Sequence, residues 1–264
     1  MLRSSDGAAA PMMNRRLLVA GATGLVGTAV AESAAAQGTD LVLLGRSADR
    51  LQRLAARLED EHGVTALPLA ADVTDPASLD HAVDRARATG LDRLDAVVSL
   101  VTGYRGRPLS VTDLSAAEFR EVLDTDVTGG FLLVRSWLAL LRAAPAGRVV
   151  LVSSVAGLRG RPMAAHLCAA KAGVHGLVLG LSAELAAEGI GVRCVAPGPI
   201  ARPGAGHPPS PIAPTTPERV AAAVLGLTGA DTEPDGEPVI VTGEPERRPS
   251  GVPGHQSPFL EVKP

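Results

Sequence analysis

The sequence predicts a single-domain, doubly wound α/β fold, and two observations carry that prediction. Short, β-branched apolar runs alternate with Ala/Leu/Arg-rich stretches of helical period along the 264 residues, the pattern of repeated βαβ units on a parallel sheet. The first apolar run leads straight into a glycine-rich turn and then into helical periodicity. The apolar fraction of 46% and charged fraction of 20% suit an ordinary globular chain, and the length is sufficient for one large core.

Strands are expected at Arg16–Ala22, Asp40–Leu44, Thr65–Ala71, Leu94–Leu100, Arg148–Ser153, Gly191–Ala196 and Pro238–Thr242. Helices fall between them, the longest over Ala117–Ala143 and Ala164–Glu188. Seven strands with helices on both faces make a Rossmann-like sheet spanning residues 15–243. Residues 1–14 read as a disordered leader. Residues 199–217 are crowded with proline and glycine just past the sixth strand. Open α/β sheets bind ligands at the carboxyl ends of their strands, so this stretch is a substrate-covering loop or a surface linker. The polar, proline-rich tail 244–264 is either disordered or docked on a neighbouring subunit.

A net charge of −3 gives no electrostatic case for nucleic acid or an anionic membrane. No apolar run reaches the roughly 18 residues of a membrane span. Arg15 and Arg16 follow the short Ala/Pro/Met stretch instead of preceding it, the wrong layout for a secretory signal, so a cytoplasmic protein is expected. Cys168 and Cys194 form no CxxC pair. Both are expected to be small buried hydrophobes, with no disulfide or metal site.

The glycine turn reads Gly21-Ala22-Thr23-Gly24-Leu25-Val26-Gly27. Its glycines allow a tight turn, close approach of backbone N–H groups to a pyrophosphate, and close packing of helix on strand. A dinucleotide is the expected ligand. The second strand runs into Gly45-Arg46-Ser47, where an NAD site would carry an acidic residue for the ribose 2′-hydroxyl. Arg46 suits a 2′-phosphate and Ser47 adds a hydrogen bond or caps the next helix, so the expected cofactor is NADP(H). Asp72-Val73, closing the third strand, fits an adenine-edge contact, with a turn-forming Asp as the alternative.

Three further segments extend the pattern: Arg148-Val149-Val150-Leu151-Val152-Ser153-Ser154-Val155-Ala156-Gly157, then Leu167-Cys168-Ala169-Ala170-Lys171, then Ala196-Pro197-Gly198-Pro199-Ile200. Taken with the glycine turn and Asp72, they resemble the short-chain dehydrogenase/reductase family over about residues 15–243. In that family a Ser orients the carbonyl and a Tyr moves the proton. A Lys lowers the Tyr pKa and holds the nicotinamide ribose, and an Asn anchors a proton-relay water. The resemblance places Ser154 and Lys171 in those roles, and Pro197, Gly198 and Ile200 beside the nicotinamide. At the tyrosine position stands Leu167, which has no proton to give.

Other departures agree that the site is rebuilt. The family's Val-Asn-x-Thr-Gly is Thr125-Asp126-Val127-Thr128-Gly129, and its Asn-Asn-Ala-Gly is Ser99-Leu100-Val101-Thr102-Gly103. The usual Thr after Pro-Gly-x-Ile is Arg202, suited to a cofactor phosphate. Lys171 is one of two lysines in the chain, which argues for a retained ribose contact over a solvated helix lysine. Ser154 is the carbonyl-orienting residue or a strand-end turn serine. Tyr104, the single tyrosine, is a replacement acid or a packing residue. Asp126 is a general base or a salt-bridge partner of Lys171, and His166 is expected as an exposed helix-start residue.

Three functions remain open on these residues. One is an NADP(H)-dependent reductase of a small, biosynthetic carbonyl substrate with a non-standard proton donor, Tyr104 or water. Another is a non-redox cyclase or isomerase that keeps the nucleotide as scaffold. The third is a catalytically silent subunit paired with an active homologue in a hetero-oligomer. The apolar helices 117–143 and 164–188 suit the four-helix face through which such proteins form homodimers or homotetramers.

Overall fold

The computed structural model describes residues 15–201, 212–229 and 238–243; the expected leader, the tail, and Arg202 with most of the loop 199–217 lie outside them. The strands are β1 (Arg16–Ala20), β2 (Asp40–Gly45), β3 (Ala66–Ala70), β4 (Ala96–Ser99), β5 (Arg148–Val152), β6 (Gly191–Pro197) and β7 (Pro238–Val241). They form one parallel sheet of order β3-β2-β1-β4-β5-β6-β7. The helices are α1 (Leu25–Ala35), α2 (Ala48–His62), α3 (Pro76–Ala88), α4 (Ala116–Leu123), α5 (Gly129–Arg142), α6 (Ala165–Leu185) and α7 (Pro217–Gly226).

Side chains alternate along a strand, so the central strands feed two cores. Leu18, Ala20, Val42 and Leu44 pack with Leu79 of α3, Trp137 of α5 and Val178 of α6. Leu17, Val19, Leu41 and Leu43 pack with Ala31 of α1, Leu58 of α2 and Val224 of α7. Each fully buried Val or Leu contributes about 1.5–3 kcal/mol relative to exposure. The strand order reverses between β1 and β4, and the crevice at that switch point is where such sheets bind ligands. No helix among the described residues is long and apolar enough to cross a membrane.

The helix expected over 117–143 is broken. A π turn at Asp124–Thr128 separates α4 from α5. The wider ring re-phases the helix by about one residue, a device common at functional sites, and Asp126 within it is only 3% exposed.

Helix starts divide into two groups. Asp75 caps α3 by accepting the Ala77 N–H at 3.0 Å, Ser115 and Glu118 form a capping box on α4, and Thr216 caps α7. No side chain caps α1, α2 or α6. These follow β1, β2 and β5, and their first amides keep no side-chain acceptor.

Candidate functional site

β1 ends at Ala20 and not at the expected Ala22, because Gly21 turns the chain at φ +81°. A Cβ there would meet the Leu100 carbonyl at 3.2 Å, so only glycine lets the two strand ends come this close. The Gly21 N–H donates to the Leu44 carbonyl at 2.8 Å, and the Gly24 N–H to the Gly21 carbonyl at 3.0 Å. Gly24 stands at the N-cap of α1, and the first turn of α1 holds no acidic residue. Uncapped amides and the positive helix end make a seat for a diphosphate, so this turn fits a dinucleotide.

Arg46 is exposed at the end of β2. Ser47 occupies the N-cap position of α2 without its hydroxyl capping the helix, which leaves that hydroxyl for a ligand. One turn further, Arg50 donates to the Thr23 carbonyl in the glycine turn. Sequence reading passed over Arg50; the signal was its place in the first turn of the helix that follows Gly45-Arg46-Ser47. Asp72 accepts from the Thr74 N–H at 2.9 Å and the Thr74 hydroxyl at 2.8 Å. These bonds, with a smaller pull from Arg46, hold its carboxyl below the usual range. Asp72 thus forms the turn that was its alternative reading, and Val73 is buried against Gly129 of α5.

At the centre of the crevice the Lys171 ammonium lies 2.9 Å from Asp126 Oδ2 and donates to the Val152 carbonyl at 3.1 Å. Asp126 also accepts from the Gly103 N–H at 2.7 Å and the Thr102 hydroxyl at 3.0 Å. Its side chain is fully buried. Of its two readings the contacts are those of a salt-bridge partner of Lys171. The Ser154 hydroxyl lies 3.3 Å from the Pro197 carbonyl and accepts the Ala156 N–H at 3.2 Å. Beyond Pro197, Gly198 donates to the Val241 carbonyl, and Ile200 pairs with Thr215 in a parallel bridge that closes the base of the loop 199–217.

Leu167 is 6% exposed and packs in a small cluster of its own with Ala156 and Ala164, against Tyr104 and Cys168. Tyr104 stacks on His166 with ring centroids 5.3 Å apart, and the Arg161 guanidinium lies 5.9 Å from the Tyr104 centroid. His166 is 4% exposed, a correction to the expected solvent position: the first turn of α6 presses it against the β4 loop. The Tyr104 hydroxyl and His166 Nδ1 are both buried without a hydrogen-bond partner. Cys168 is half-buried, less enclosed than expected, with its thiol 3.9 Å from the Arg161 carbonyl. Cys194 is buried in β6, and loss of solvent pushes its thiol up to about 12.

Set beside known proteins, residues 15–207 match the family described as short chain dehydrogenase. The chain belongs to the short-chain dehydrogenase family. Nodulation protein G of Rhizobium sp. (strain N33) is 33% identical over 193 residues, covering 71% of this chain and 74% of that protein. The 3-oxoacyl-[acyl-carrier-protein] reductase FabG of Escherichia coli (strain K12) is 30% identical over 181 residues, 69% of this chain and 71% of FabG. The crystal structure of a 3-oxoacyl-[acyl-carrier protein] reductase with bound NAD from Brucella melitensis superposes with a TM-score of 0.76 at 27% identity, covering 88% of this chain and 90% of that one. The fold and strand order are those of the short-chain dehydrogenase family.

Proposed function

We propose that this short-chain dehydrogenase binds NADP(H) in the cytoplasm and reduces a small, biosynthetic carbonyl substrate, with the Tyr104 hydroxyl as proton donor. The observation that carries the reading is that hydroxyl, buried without a partner in the wall formed with Leu167. An unsatisfied buried hydroxyl costs about 1–3 kcal/mol, a cost that a substrate oxygen would remove.

The amides after Gly21 and Gly24 would hold the diphosphate, and Arg46, Ser47 and Arg50 would hold the 2′-phosphate. Two ammonium N–H groups of Lys171 are engaged by Asp126 and Val152; the third remains for the nicotinamide ribose. Pro197, Gly198 and Ile200 would lie beside the nicotinamide, and Arg202, outside the described residues, would be a further partner for a cofactor phosphate. When bound, the cofactor supplies the hydride. Ser154 orients the carbonyl, and the Tyr104 O–H donates to its oxygen as charge develops there.

A second reading, a silent subunit, is favoured by the Asp126–Lys171 pair. A lysine whose charge is balanced by a carboxylate at 2.9 Å presents a net-neutral pair to a bound substrate. Exposed Phe131 on α5 and Leu179 on α6 would supply an interface with an active homologue, or with copies of this chain in a homodimer or homotetramer.

The two readings separate in a NADPH-oxidation assay on the homomeric chain against a panel of small carbonyl compounds. The reductase oxidises NADPH with at least one of them. Tight NADPH binding with no turnover, and activity only on co-expression with a tyrosine-bearing homologue, establishes the silent subunit.

Arg46→Ala is expected to weaken NADPH about ten- to a hundredfold, the worth of a charge-assisted phosphate contact of about 1.5–3 kcal/mol, and to leave NADH nearly unchanged. Equal titration curves for both nucleotides in the unmutated protein would remove the NADP(H) assignment. Leu167→Tyr puts a phenol one turn before Lys171, at a stability cost of about 1–3 kcal/mol for overpacking. In a silent subunit it should create measurable carbonyl reduction. In the Tyr104-dependent reductase it should abolish the native reaction, because the new ring displaces Tyr104. A folded variant with every activity unchanged would show that Leu167 does not face the nicotinamide.

A further inference from the structure

We infer that the Tyr104–His166 wall contains an anion-recognising subsite, so that the substrate is a short oxo acid whose carboxylate lies at the N-terminus of α6. The inference rests on the reductase reading for the word substrate, but the subsite stands on its own observations. The 21-residue helix α6 begins at Ala165, with Ala164 at its N-cap, no side-chain cap and no acidic residue in its first turn. Its free amides and positive helix end favour an anion within the first turn.

His166, in that turn and 4% exposed, carries an unpartnered buried Nδ1, which in its N–H tautomer is a hydrogen-bond donor. The Tyr104 ring lies beside it, tilted by 56° with centroids 5.3 Å apart, and among the described residues its hydroxyl is unpartnered too. Arg161 brings a full positive charge to the same place, 5.9 Å from the Tyr104 centroid. Among the described residues no carboxylate pairs with Arg161, although Arg105 and Arg107 on the facing loop are matched to Glu121 and Glu118.

The imidazole in the first turn of α6 and the Arg161 guanidinium thus both lie against the Tyr104 ring, beside the apolar side chain of Leu167. Such a set matches a planar carboxylate. The Tyr104 hydroxyl, next to the imidazole, is left for the carbonyl oxygen. The short span between these rings favours a 2-oxo or 3-oxo acid, in which carbonyl and carboxylate are one or two bonds apart.

Oxamate, a carboxylate analogue of a 2-oxo acid that accepts no hydride readily, is the probe, and the neutral oxamide is its control. Calorimetric titration of the full chain loaded with NADP+ should show oxamate binding at least tenfold more tightly than oxamide. Arg161→Gln, a surface change, should weaken oxamate about tenfold or more and leave NADP+ affinity unaltered. Equal binding of the two compounds, or oxamate binding indifferent to Arg161→Gln, overturns the subsite. Arg161-dependent oxamate binding in a chain that reduces no carbonyl leaves the subsite standing and removes the reductase reading. Tyr104-dependent reduction of neutral ketones without Arg161-dependent oxamate binding does the reverse.

Discussion

Lys171→Met should lower stability by about 3–5 kcal/mol, the loss typical of removing one partner of a buried ion pair. The Lys171 side chain is 7% exposed and that of Asp126 is 0% exposed, with 2.9 Å between the charged atoms, so solvent has little opportunity to replace the lost ammonium. The Gly103 N–H and the Thr102 hydroxyl still reach the carboxylate, but neither neutralises its charge. At this chain length the deficit corresponds to a Tm lowered by about 6–20 °C. Urea unfolding without nucleotide measures it apart from any contribution of bound cofactor. Lys171→Met with Asp126→Leu should recover much of the loss, because no charge is then left buried. A single-variant deficit under about 1 kcal/mol would show that water enters the pair in solution, and that the site is more open than its geometry indicates.

Tyr104→Phe should have opposite effects on chemistry and stability. Removing a general acid costs about 10²–10⁴ in rate, so kcat for the carbonyl substrate should fall by that range while NADPH binds as before. The phenylalanine keeps the ring against His166 and Leu167 and deletes only the hydroxyl that lacks a partner. Stability should therefore be unchanged or higher, since an unsatisfied buried hydroxyl is itself costly. Activity preserved within threefold would assign the proton to water or another group. A marked loss of stability would mean that the hydroxyl has a structural partner in solution. A merely packing tyrosine predicts the same stability effect without the fall in kcat.

These effects depend on contacts of very different range, which explains why parts of the site were legible in the sequence and parts were not. The glycine turn, Arg46 and Ser47 follow their strands within a few residues, so position alone puts them at the crevice. Arg50 lies on the same helix, but its bond to Thr23 required knowing how α2 is rotated over the turn. Asp126 sits in a π turn inside a stretch that reads as one continuous helix, and its bonds to Lys171, Gly103 and Thr102 come from other elements. His166 read as exposed because a helix start usually is; the β4 loop that covers it comes from a distant part of the chain.

By itself the sequence determined the doubly wound parallel fold and the glycine turn that follows its first strand. Each of these is written in local periodicity or in the identity of one residue at one position. Only the tertiary structure decided that Lys171 is neutralised by Asp126, and that Tyr104 and His166 share a wall with two unpaired polar atoms. Such facts belong to pairs of residues from different elements. Burial and hydrogen-bond satisfaction arise only when those elements pack, so a single sequence names the groups and leaves their partners to the fold.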